Sequence, residues 1–173
     1  EKRVLVLDAS AFISGFDPSS VEEEQYSVPL VGQELVEKSL PRLRFDMASE
    51  RGRLKILEPD SSSLFEAKKL SKEAGDVRFL SEADIQILAL AVQLKKGSCD
   101  PLIVTDDYSI QNVAEKIGLN FAPLITFGIR FFLHWLLYCP ACHRKYPQDY
   151  QFKQCEICGT NLKRKPLRKI PIK

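Results

Sequence analysis

Short apolar runs alternate with stretches of helical periodicity along the first three quarters of the chain. The apolar runs are rich in Val, Ile and Leu, and they predict buried strands at residues 3–7, 54–57, 101–105 and 121–125. The periodic stretches predict helices at residues 9–16, 29–39, 42–51, 61–74, 81–96 and 108–117. The polar segment 17–25 predicts a loop or a frayed helix. Strands that alternate with helices predict a three-layer α/β/α fold on a parallel sheet.

Charge is distributed unevenly along the chain, although the net charge of all 173 residues is only +2. Residues 1–138 hold 16 Lys and Arg against 21 Asp and Glu, whereas residues 139–173 hold 9 against 2. An acidic body suits the binding of cations, and a basic end suits contact with phosphates. A basic end that only aids solubility is the alternative, and the charge distribution alone does not separate the two.

No apolar stretch of the sequence is long enough to span a membrane. The best candidate, residues 125–138, is short and is interrupted by Arg130 and His134. The apolar run near the start ends at Asp8, which is too early for a secretory signal. We therefore expect a cytoplasmic protein that does not act in a membrane.

Four of the five cysteines form two C-x₂-C pairs separated by 12 residues. The pairs are Cys139 with Cys142 and Cys155 with Cys158. In a cytoplasmic chain this spacing indicates a tetrahedral zinc site, and four protein ligands leave no open position for catalysis. Gly159 allows the backbone to bend after the second pair. The fifth cysteine, Cys99, has no predicted role.

The length of the chain suits one ordinary domain and a small module. We predict an α/β domain at residues 1–128, a linker or packed strand at 129–138, a zinc ribbon at 139–162 and a basic tail at 163–173. The tail is expected to bind RNA electrostatically rather than to fold.

Aromatic and basic residues are interleaved in the predicted ribbon, a pattern typical of surfaces that stack bases and contact phosphates. The aromatic residues are Tyr146, Tyr150 and Phe152, and the alternative is that they form the core of so small a module. The candidate RNA-binding residues are Arg144, Lys145, Lys153, Lys163, Arg164 and Lys165.

Two carboxylates follow predicted strands and two lie on predicted helices. Asp8 and Asp107 follow strands, whereas Glu34 and Asp84 are helical. The carboxyl ends of parallel strands bind ligands in open α/β sheets, and hard oxygen ligands suit Mg²⁺ or Mn²⁺, which activate water for attack on a phosphodiester. Each acid also has a structural explanation, such as Asp8 as a helix cap or Asp84 as the partner of Ser81 in a capping box.

Other mechanisms find little support in the sequence. The two histidines, His134 and His143, lie outside the acidic set, which disfavours a histidine-based ribonuclease. A glycine-rich phosphate-binding loop is absent from the sequence, which disfavours an ATPase.

Three stretches of the chain resemble the signature segments of the PIN-domain nucleases. They are VLDASAF at residues 6–12, LSEADI at 80–85 and IVTDDY at 103–108. The continuation SIQNVA at 109–114 and the appended cysteine ribbon narrow the resemblance to the Nob proteins. These PIN–zinc-ribbon endonucleases mature the 3′ end of small-subunit ribosomal RNA. The resemblance covers nearly the whole chain, and the short join between its parts is similar to the archaeal form.

The resemblance implies an acidic site of three to four carboxylates that binds Mn²⁺ or Mg²⁺. Its members here are Asp8, Glu34, Asp84 and Asp107. In the family, the strand of the third motif ends in Thr-x-Asp, which selects Asp107 rather than Asp106 as the ligand. Ser10, Thr105 and Asp106 are then expected to orient the acids or the attacking water.

The resemblance also implies a function, namely metal-dependent cleavage of precursor ribosomal RNA during ribosome biogenesis, with other assembly factors as partners. The alternative is a PIN and zinc-ribbon protein that binds RNA without cutting it. The intact set of acids disfavours that alternative. The ribbon disfavours a third hypothesis, a toxin-type PIN ribonuclease.

Overall fold

The computed structural model describes residues 1–75, 77–127, 131–147 and 150–171, with the backbone alone for residues 131–135 and 166–171. The chain forms two compact units, Glu1–Ile129 and Arg130–Lys173. The predicted boundary between residues 128 and 129 lies outside the described residues. None of the helices in the described ranges is long and apolar enough to cross a membrane.

The first unit is built on a five-stranded sheet. Its strands are β1 (Lys2–Leu7), β2 (Glu24–Ser27), β3 (Leu54–Ile56), β4 (Cys99–Val104) and β5 (Asn120–Ala122). Their order across the sheet is β3-β2-β1-β4-β5, and every neighbouring pair is parallel. Leu7 of β1 pairs with Val104 of β4, so the two central strands end side by side.

Helices cover both faces of this sheet. They are α1 (Ala9–Ser14), α2 (Pro29–Glu34), α3 (Leu40–Glu50), α4 (Ser61–Glu73), α5 (Glu82–Lys96) and α6 (Tyr108–Lys116), with short 3₁₀ turns at Pro18–Ser20, Val77–Phe79 and Leu124–Phe127. Right-handed crossovers in this strand order place α1 to α3 on one face and α4 to α6 on the other. The predicted three-layer α/β/α fold with a parallel sheet is therefore confirmed.

Helix α5 occupies the centre of the core because it is apolar on more than one side. Its Ile87, Leu88 and Leu90 are fully buried together with Leu5 and Ile103 of the sheet. The side chains of Ser81 and Asp84 form a capping box that fixes where α5 begins. The end of α5 that faces solvent carries the two lysines of its last turn.

Strand β2 begins inside the segment 17–25, where the sequence predicts a loop or a frayed helix, and it corrects that prediction at residues 24 and 25. Its residues Gln25 and Ser27 are polar, yet they are buried between β1 and β3. The Gln25 amide donates to the Pro18 carbonyl at 2.7 Å, and the Ser27 hydroxyl donates to the Leu7 carbonyl at 2.7 Å. These internal bonds lower the cost of burying polar side chains in a central strand.

The second unit contains a three-stranded antiparallel sheet. Its strands are β6 (Phe131–Tyr138), β7 (Lys145–Tyr146) and β8 (Lys163–Pro171), in the order β7-β6-β8. Of the two alternatives predicted for residues 129–138, a linker or a packed strand, a strand is present at Phe131–Tyr138, whereas the predicted unfolded tail at 163–173 is wrong. Both segments are largely strands, and they pair with each other over eight positions from Phe131 to Tyr138. Residues 172 and 173 of the predicted tail lie outside the described residues.

Candidate functional site

The carboxyl edge of the sheet brings three of the predicted acids into one region. Asp8 directly follows β1, and Asp107 comes shortly after β4, where the strand order reverses. Such a reversal is the usual ligand-binding position of an open α/β sheet. Asp84 lies in the first turn of α5, and its charge acts on Asp8. Asp8, Asp84 and Asp107 are 4%, 7% and 4% exposed, and we call this set the acidic edge.

Hydroxyl groups hold the Asp8 carboxylate in place. One carboxylate oxygen accepts a hydrogen bond from the Ser10 hydroxyl at 2.6 Å, and the other accepts one from the Thr105 hydroxyl. The Thr105 oxygen also accepts from the backbone N–H of Asp107 at 3.0 Å, and the Ser10 oxygen accepts from that of Asp106 at 3.2 Å. Ser10 and Thr105 thus connect the end of β1 to the loop after β4, which is compatible with the orienting role predicted for them.

The electrostatic surroundings of Asp8 favour a bound cation. Burial raises the pKa of Asp8 to about 7, while hydrogen bonds from Ser10 and Thr105 lower it and the charges of Asp107 and Asp84 raise it. The charged neighbours that act on Asp8 most strongly are therefore other acids. A divalent ion would offset the cost of ionising Asp8 among these acids. Carboxylate oxygens are also the donors that Mg²⁺ and Mn²⁺ prefer. The residues at the acidic edge fit such an ion.

Each acid of the acidic edge also caps a helix. Asp8 accepts from an N–H in the first turn of α1 at 3.2 Å, and Asp107 accepts from one in the first turn of α6 at 2.9 Å. Asp84 accepts from the N–H of Ser81 at 2.8 Å in the capping box of α5. The helix-capping roles that the sequence suggested for Asp8 and Asp84 are thus present in the structure. They do not compete with ion binding, because a cap fixes a carboxylate in position and leaves lone pairs for a further ligand.

Glu34 and Asp106 have different surroundings from the acidic edge. Glu34 is the last residue of α2 and is exposed, although α2 packs against α5, the helix that carries Asp84. Its assignment as a fourth ligand stays a prediction. Asp106 accepts from the N–H of Leu124 at 2.9 Å and so supports the turn that follows β5. Burial raises the pKa of Asp106, and the bond from Leu124 lowers it.

Two residues beside the acidic edge were not predicted. Tyr108, the first residue of α6, is 66% exposed next to Asp107. Gln111 donates its side-chain amide to the Thr105 carbonyl at 2.7 Å and so braces the loop. Tyr108 could have been found from the sequence, because it is an aromatic residue directly after an acid at the end of a strand. The role of Gln111 has no such signal, because it depends on where α6 begins.

The second unit brings its four cysteines together around one point. Their sulfur atoms all lie within 4.8 Å of one another, with 3.4 Å from Cys139 to Cys158 and 3.5 Å from Cys142 to Cys155. Thiolates bound to a tetrahedral ion at about 2.3 Å lie about 3.8 Å apart, so the cluster fits a metal ion. Within the described ranges, no other set of three or more His, Cys, Asp or Glu side chains is this tight. The acidic edge is therefore the more open of the two arrangements.

The two C-x₂-C turns share one backbone geometry. His143 follows the first pair with φ of 61°, and Gly159 follows the second with φ of 72°. The N–H of each donates to the carbonyl of the first cysteine of its pair at 2.9 Å. The predicted bend at Gly159 is present, and His143 adopts the same left-handed conformation at the cost of some strain.

Neighbouring hydroxyls support two of the sulfur atoms. The Tyr146 hydroxyl lies 3.0 Å from the Cys155 sulfur and is the largest contribution that lowers the pKa of Cys155 to about 6. Thr160 lies 3.3 Å from the Cys158 sulfur and lowers the pKa of that thiol. Both effects favour the thiolate, which is the form that binds a metal. No separate signal in the sequence pointed to Thr160.

The three aromatic residues of the ribbon form a row that leads from the core to the surface. The ring centroids of Tyr146 and Tyr150 are 4.4 Å apart, and those of Tyr150 and Phe152 are 5.6 Å apart. Tyr146 is buried with Cys139 and Cys155, whereas Phe152 is 70% exposed. Tyr146 therefore belongs to the core of the ribbon, whereas the exposed ring of Phe152 is accessible for base stacking.

Most of the predicted RNA-binding residues are exposed. They are Lys145, Lys153, Lys163 and Lys165, and Arg144 is exposed as well. Arg144 pairs with Glu156 at 2.8 Å, and the Lys165 ammonium lies 4.6 Å from the centre of the Tyr138 ring. Arg164 is half-buried on β8. Their side chains are placed to reach a ligand, and their role in RNA binding stays a prediction.

Known proteins share both parts of the chain. The family described as the PIN domain of ribonuclease matches residues 5–94. The endoribonuclease Nob1 of Methanothermobacter thermautotrophicus is 42% identical over 160 residues, which cover 92% of this chain and 91% of that protein. The endoribonuclease Nob1 of Methanocaldococcus jannaschii is 37% identical over 96% of this chain and 79% of its own length. The protein of that name from Pyrococcus abyssi is 35% identical over 96% of both chains.

Proposed function

This chain belongs to the PIN-domain family of ribonucleases, and from that premise we propose that it is a metal-dependent endoribonuclease. Its substrate is the precursor of small-subunit ribosomal RNA, which it cleaves at the 3′ end during ribosome biogenesis. The observation that carries the proposal is the meeting of three buried carboxylates where the strand order reverses, in a chain whose relatives are named endoribonucleases. In this role the protein works in the cytoplasm, with RNA and other assembly factors as partners.

The acidic edge is proposed to hold Mn²⁺ or Mg²⁺. The proposed ligands are Asp8, Asp84 and Asp107, with Glu34 as an outer fourth acid. An ion bound there supplies an activated water and offsets the charge of the phosphate. The chain itself holds the carboxylates in position, because the Ser10 and Thr105 hydroxyls bond Asp8 and the starts of α5 and α6 fix the other two acids. The expected products carry a 3′-hydroxyl and a 5′-phosphate.

The four cysteines are proposed to hold a structural Zn²⁺. Four thiolates complete a tetrahedral shell, so an ion there has no open position for water or substrate. The matched backbone turns and the hydroxyls of Tyr146 and Thr160 support thiolate ligands. The expected contribution of zinc is to the folding of the second unit rather than to chemistry.

The second unit is proposed to bind the RNA substrate. Lysines of β7, β8 and the loop between them offer contacts to phosphates, and Phe152 offers a ring on which a base can stack. Phe152→Ala is expected to weaken RNA binding roughly fivefold to 150-fold, and Lys153→Ala is expected to weaken it as well. Phe65→Ala, which removes an exposed ring from α4, is expected to leave it unchanged. Fluorescence anisotropy with a labelled RNA measures both effects.

An RNA that spans the 3′ end of the small-subunit sequence and its downstream spacer tests the proposal. The protein is incubated with Mn²⁺, with Mg²⁺ or with EDTA, alongside Asp8→Asn and Asp107→Asn. Asp100→Asn is the matched control, because Asp100 lies on β4 and pairs with Arg3 instead of joining the acidic edge. We expect one cut that requires the ion, persists in the control and disappears in both acidic-edge variants. Tight binding without metal-dependent cleavage would instead favour an RNA-binding protein that lacks catalysis.

A further inference from the structure

A pocket in the first unit is lined by three arginines that the proposed reaction does not use. Arg44 comes from α3, Arg51 ends that helix, and Arg53 lies in the turn before β3. The opposite wall is the turn that begins at Asp17 and precedes β2. Since these segments lead into parallel strands, the pocket lies toward the amino ends of the strands, whereas the acidic edge lies at their carboxyl ends. We call it the arginine pocket.

Backbone contacts hold the Arg44 side chain and the turn that carries Arg53 in place. The Arg44 guanidinium donates to the Phe12 carbonyl at 3.2 Å, which directs it along the wall of the pocket. The turn that carries Arg53 is closed by a bond from its N–H to the Ala48 carbonyl at 2.9 Å, and Gly52 supplies the positive φ of 72° that this turn needs. The fold therefore fixes Arg44 and the turn that carries Arg53, and the exposed side chains of Arg51 and Arg53 complete the lining.

The positive charge of the pocket is only partly compensated by acids of its lining. Among the side chains that the structure describes, the ion pairs do not include Arg44, Arg51 or Arg53. The one acid of the lining is Asp17, whose carboxylate accepts from the N–H and the hydroxyl of Ser19 at 2.9 and 2.7 Å. Those bonds, and more weakly the charges of Arg44 and Arg51, lower the pKa of Asp17. Three guanidinium groups against one carboxylate leave two positive charges in the lining.

We propose that the arginine pocket binds phosphates of the RNA backbone at a distance from the cut. A planar guanidinium matches a phosphate in a two-point contact, and Met47 adds an apolar surface for a ribose or a base. This identification of the ligand rests on the proposed function, because a ribosomal precursor is a polyanion long enough to reach from one edge of the sheet to the other. Arg44 lies at the Phe12 carbonyl, one turn of α1 from Asp8. Arg51 lies about 10 Å from Arg44 along α3, so an RNA must extend beyond the cut to meet the arginines at the end of that helix.

Charge reversal tests the proposal. The double variant Arg51→Glu and Arg53→Glu is compared with Lys69→Glu and Lys72→Glu, an equal charge change on the exposed side of α4. Arg44 is left unchanged because it bonds Phe12. Binding to a long labelled precursor RNA and to a short RNA around the cut is measured by fluorescence anisotropy over a range of salt concentrations. Thermal melting followed by circular dichroism establishes that both variants are folded.

The expected result is selective for the long RNA. The pocket variant binds it at least about tenfold more weakly, with a salt slope smaller by about 0.7 for each phosphate that is no longer bound, while the control changes less than about threefold. Binding and metal-dependent cleavage of the short RNA are unchanged in both variants. Equal losses in the two variants would overturn the proposal. So would unchanged RNA binding combined with loss of binding to polyglutamate, which would assign the pocket to an acidic protein segment. Cleavage of the short RNA by the unmodified protein tests the proposed function separately.

Discussion

The acidic edge and the cysteine cluster, the two proposed cation sites, are built in opposite ways. The acidic edge takes carboxylates from residues 8, 84 and 107, so it exists only after the sheet and α5 have formed. The cysteine cluster takes its sulfurs from two local turns within residues 139–158. The first arrangement is open and oxygen-rich, and the second is tight and sulfur-only. This difference is the basis of the proposal that an ion at the acidic edge meets the substrate and one at the cysteine cluster maintains the fold. On that proposal, substitutions in the two regions have different effects.

The largest expected effect is loss of cleavage in Asp84→Asn and Asp107→Asn. Each change removes a charge that the proposed ion needs, while Asn retains most of the capping bonds. Activity is expected to fall by more than about 100-fold, beyond the loss typical of a residue that only supports a ligand. Single-turnover cleavage with Mn²⁺ measures it. Glu82→Gln is the control, because Glu82 is an exposed acid in the same turn of α5 and pairs with Lys68. A loss of cleavage of similar size in Glu82→Gln would mean that cleavage depends on the start of α5 and not on the acids of the proposed ion site.

The next largest effect is loss of zinc in Cys155→Ser. Cys155 is buried and its sulfur is supported by Tyr146, so its replacement is expected to reduce bound zinc from about one equivalent to nearly none and to unfold the second unit. Cys99→Ser, a change on β4 outside the cluster, is expected to leave the zinc content unchanged. Elemental analysis gives the zinc content, and calorimetry follows the two units. Full zinc content in Cys155→Ser would contradict the four-thiolate site.

A smaller effect is expected on stability in Asp8→Asn. Burial raises the pKa of Asp8 to about 7, so without a bound ion the folded state takes up a proton that the unfolded chain does not. The ionised carboxylate then destabilises the fold fully above about pH 7, and the penalty disappears as the pH falls toward 4. Asp8→Asn is expected to raise the Tm by at least about 3 °C at pH 8 without added Mn²⁺, with little effect near pH 4.

Thermal melting at the two pH values measures the stability change, and Asp100→Asn is again the control. Saturating Mn²⁺ is expected to stabilise the original protein and to have little effect on the Asp8 variant. An unchanged Tm at pH 8 would show that the penalty on Asp8 is relieved by the protein alone.

The smallest effect is expected for Glu34→Gln. Glu34 is exposed at the end of α2, so it contributes less to an ion than the buried acids do. Cleavage is expected to fall by less than about tenfold, within the range of a supporting residue. Glu37→Gln, a change at another exposed acid in the following loop, serves as the control. A loss as large as that of Asp107→Asn would place Glu34 among the primary ligands.

The same difference between the two regions explains what the sequence could predict. The cysteine pairs are local, so their spacing alone identified the cluster. The strands β1 and β4 are continuous apolar runs, which predicted the sheet and placed Asp8 and Asp107 at its carboxyl edge. The order of the strands is not local, and the proximity of Asp84 to Asp8 could be inferred only through the family resemblance.

Two strands were missed because their stability does not come from an apolar pattern. β2 reads as polar, and its buried Gln25 and Ser27 are accommodated by bonds to backbone carbonyls of other segments. β8 reads as a basic tail, and it is a strand because β6, some thirty residues earlier, supplies its pairing partner. The arginine pocket was also missed, because its arginines come together only when the end of α3 meets the turn before β2 in the folded chain.

Binding of Mn²⁺ to the acidic edge is the most direct test of its proposed role. Electron paramagnetic resonance counts the Mn²⁺ bound by the zinc-loaded protein and by the double variant Asp84→Asn and Asp107→Asn. We expect at least one tightly bound Mn²⁺ in the original protein, its loss in the variant, and the same zinc content in both. Equal Mn²⁺ binding by the variant would contradict the proposed site, because the ion would then be held somewhere other than the acidic edge.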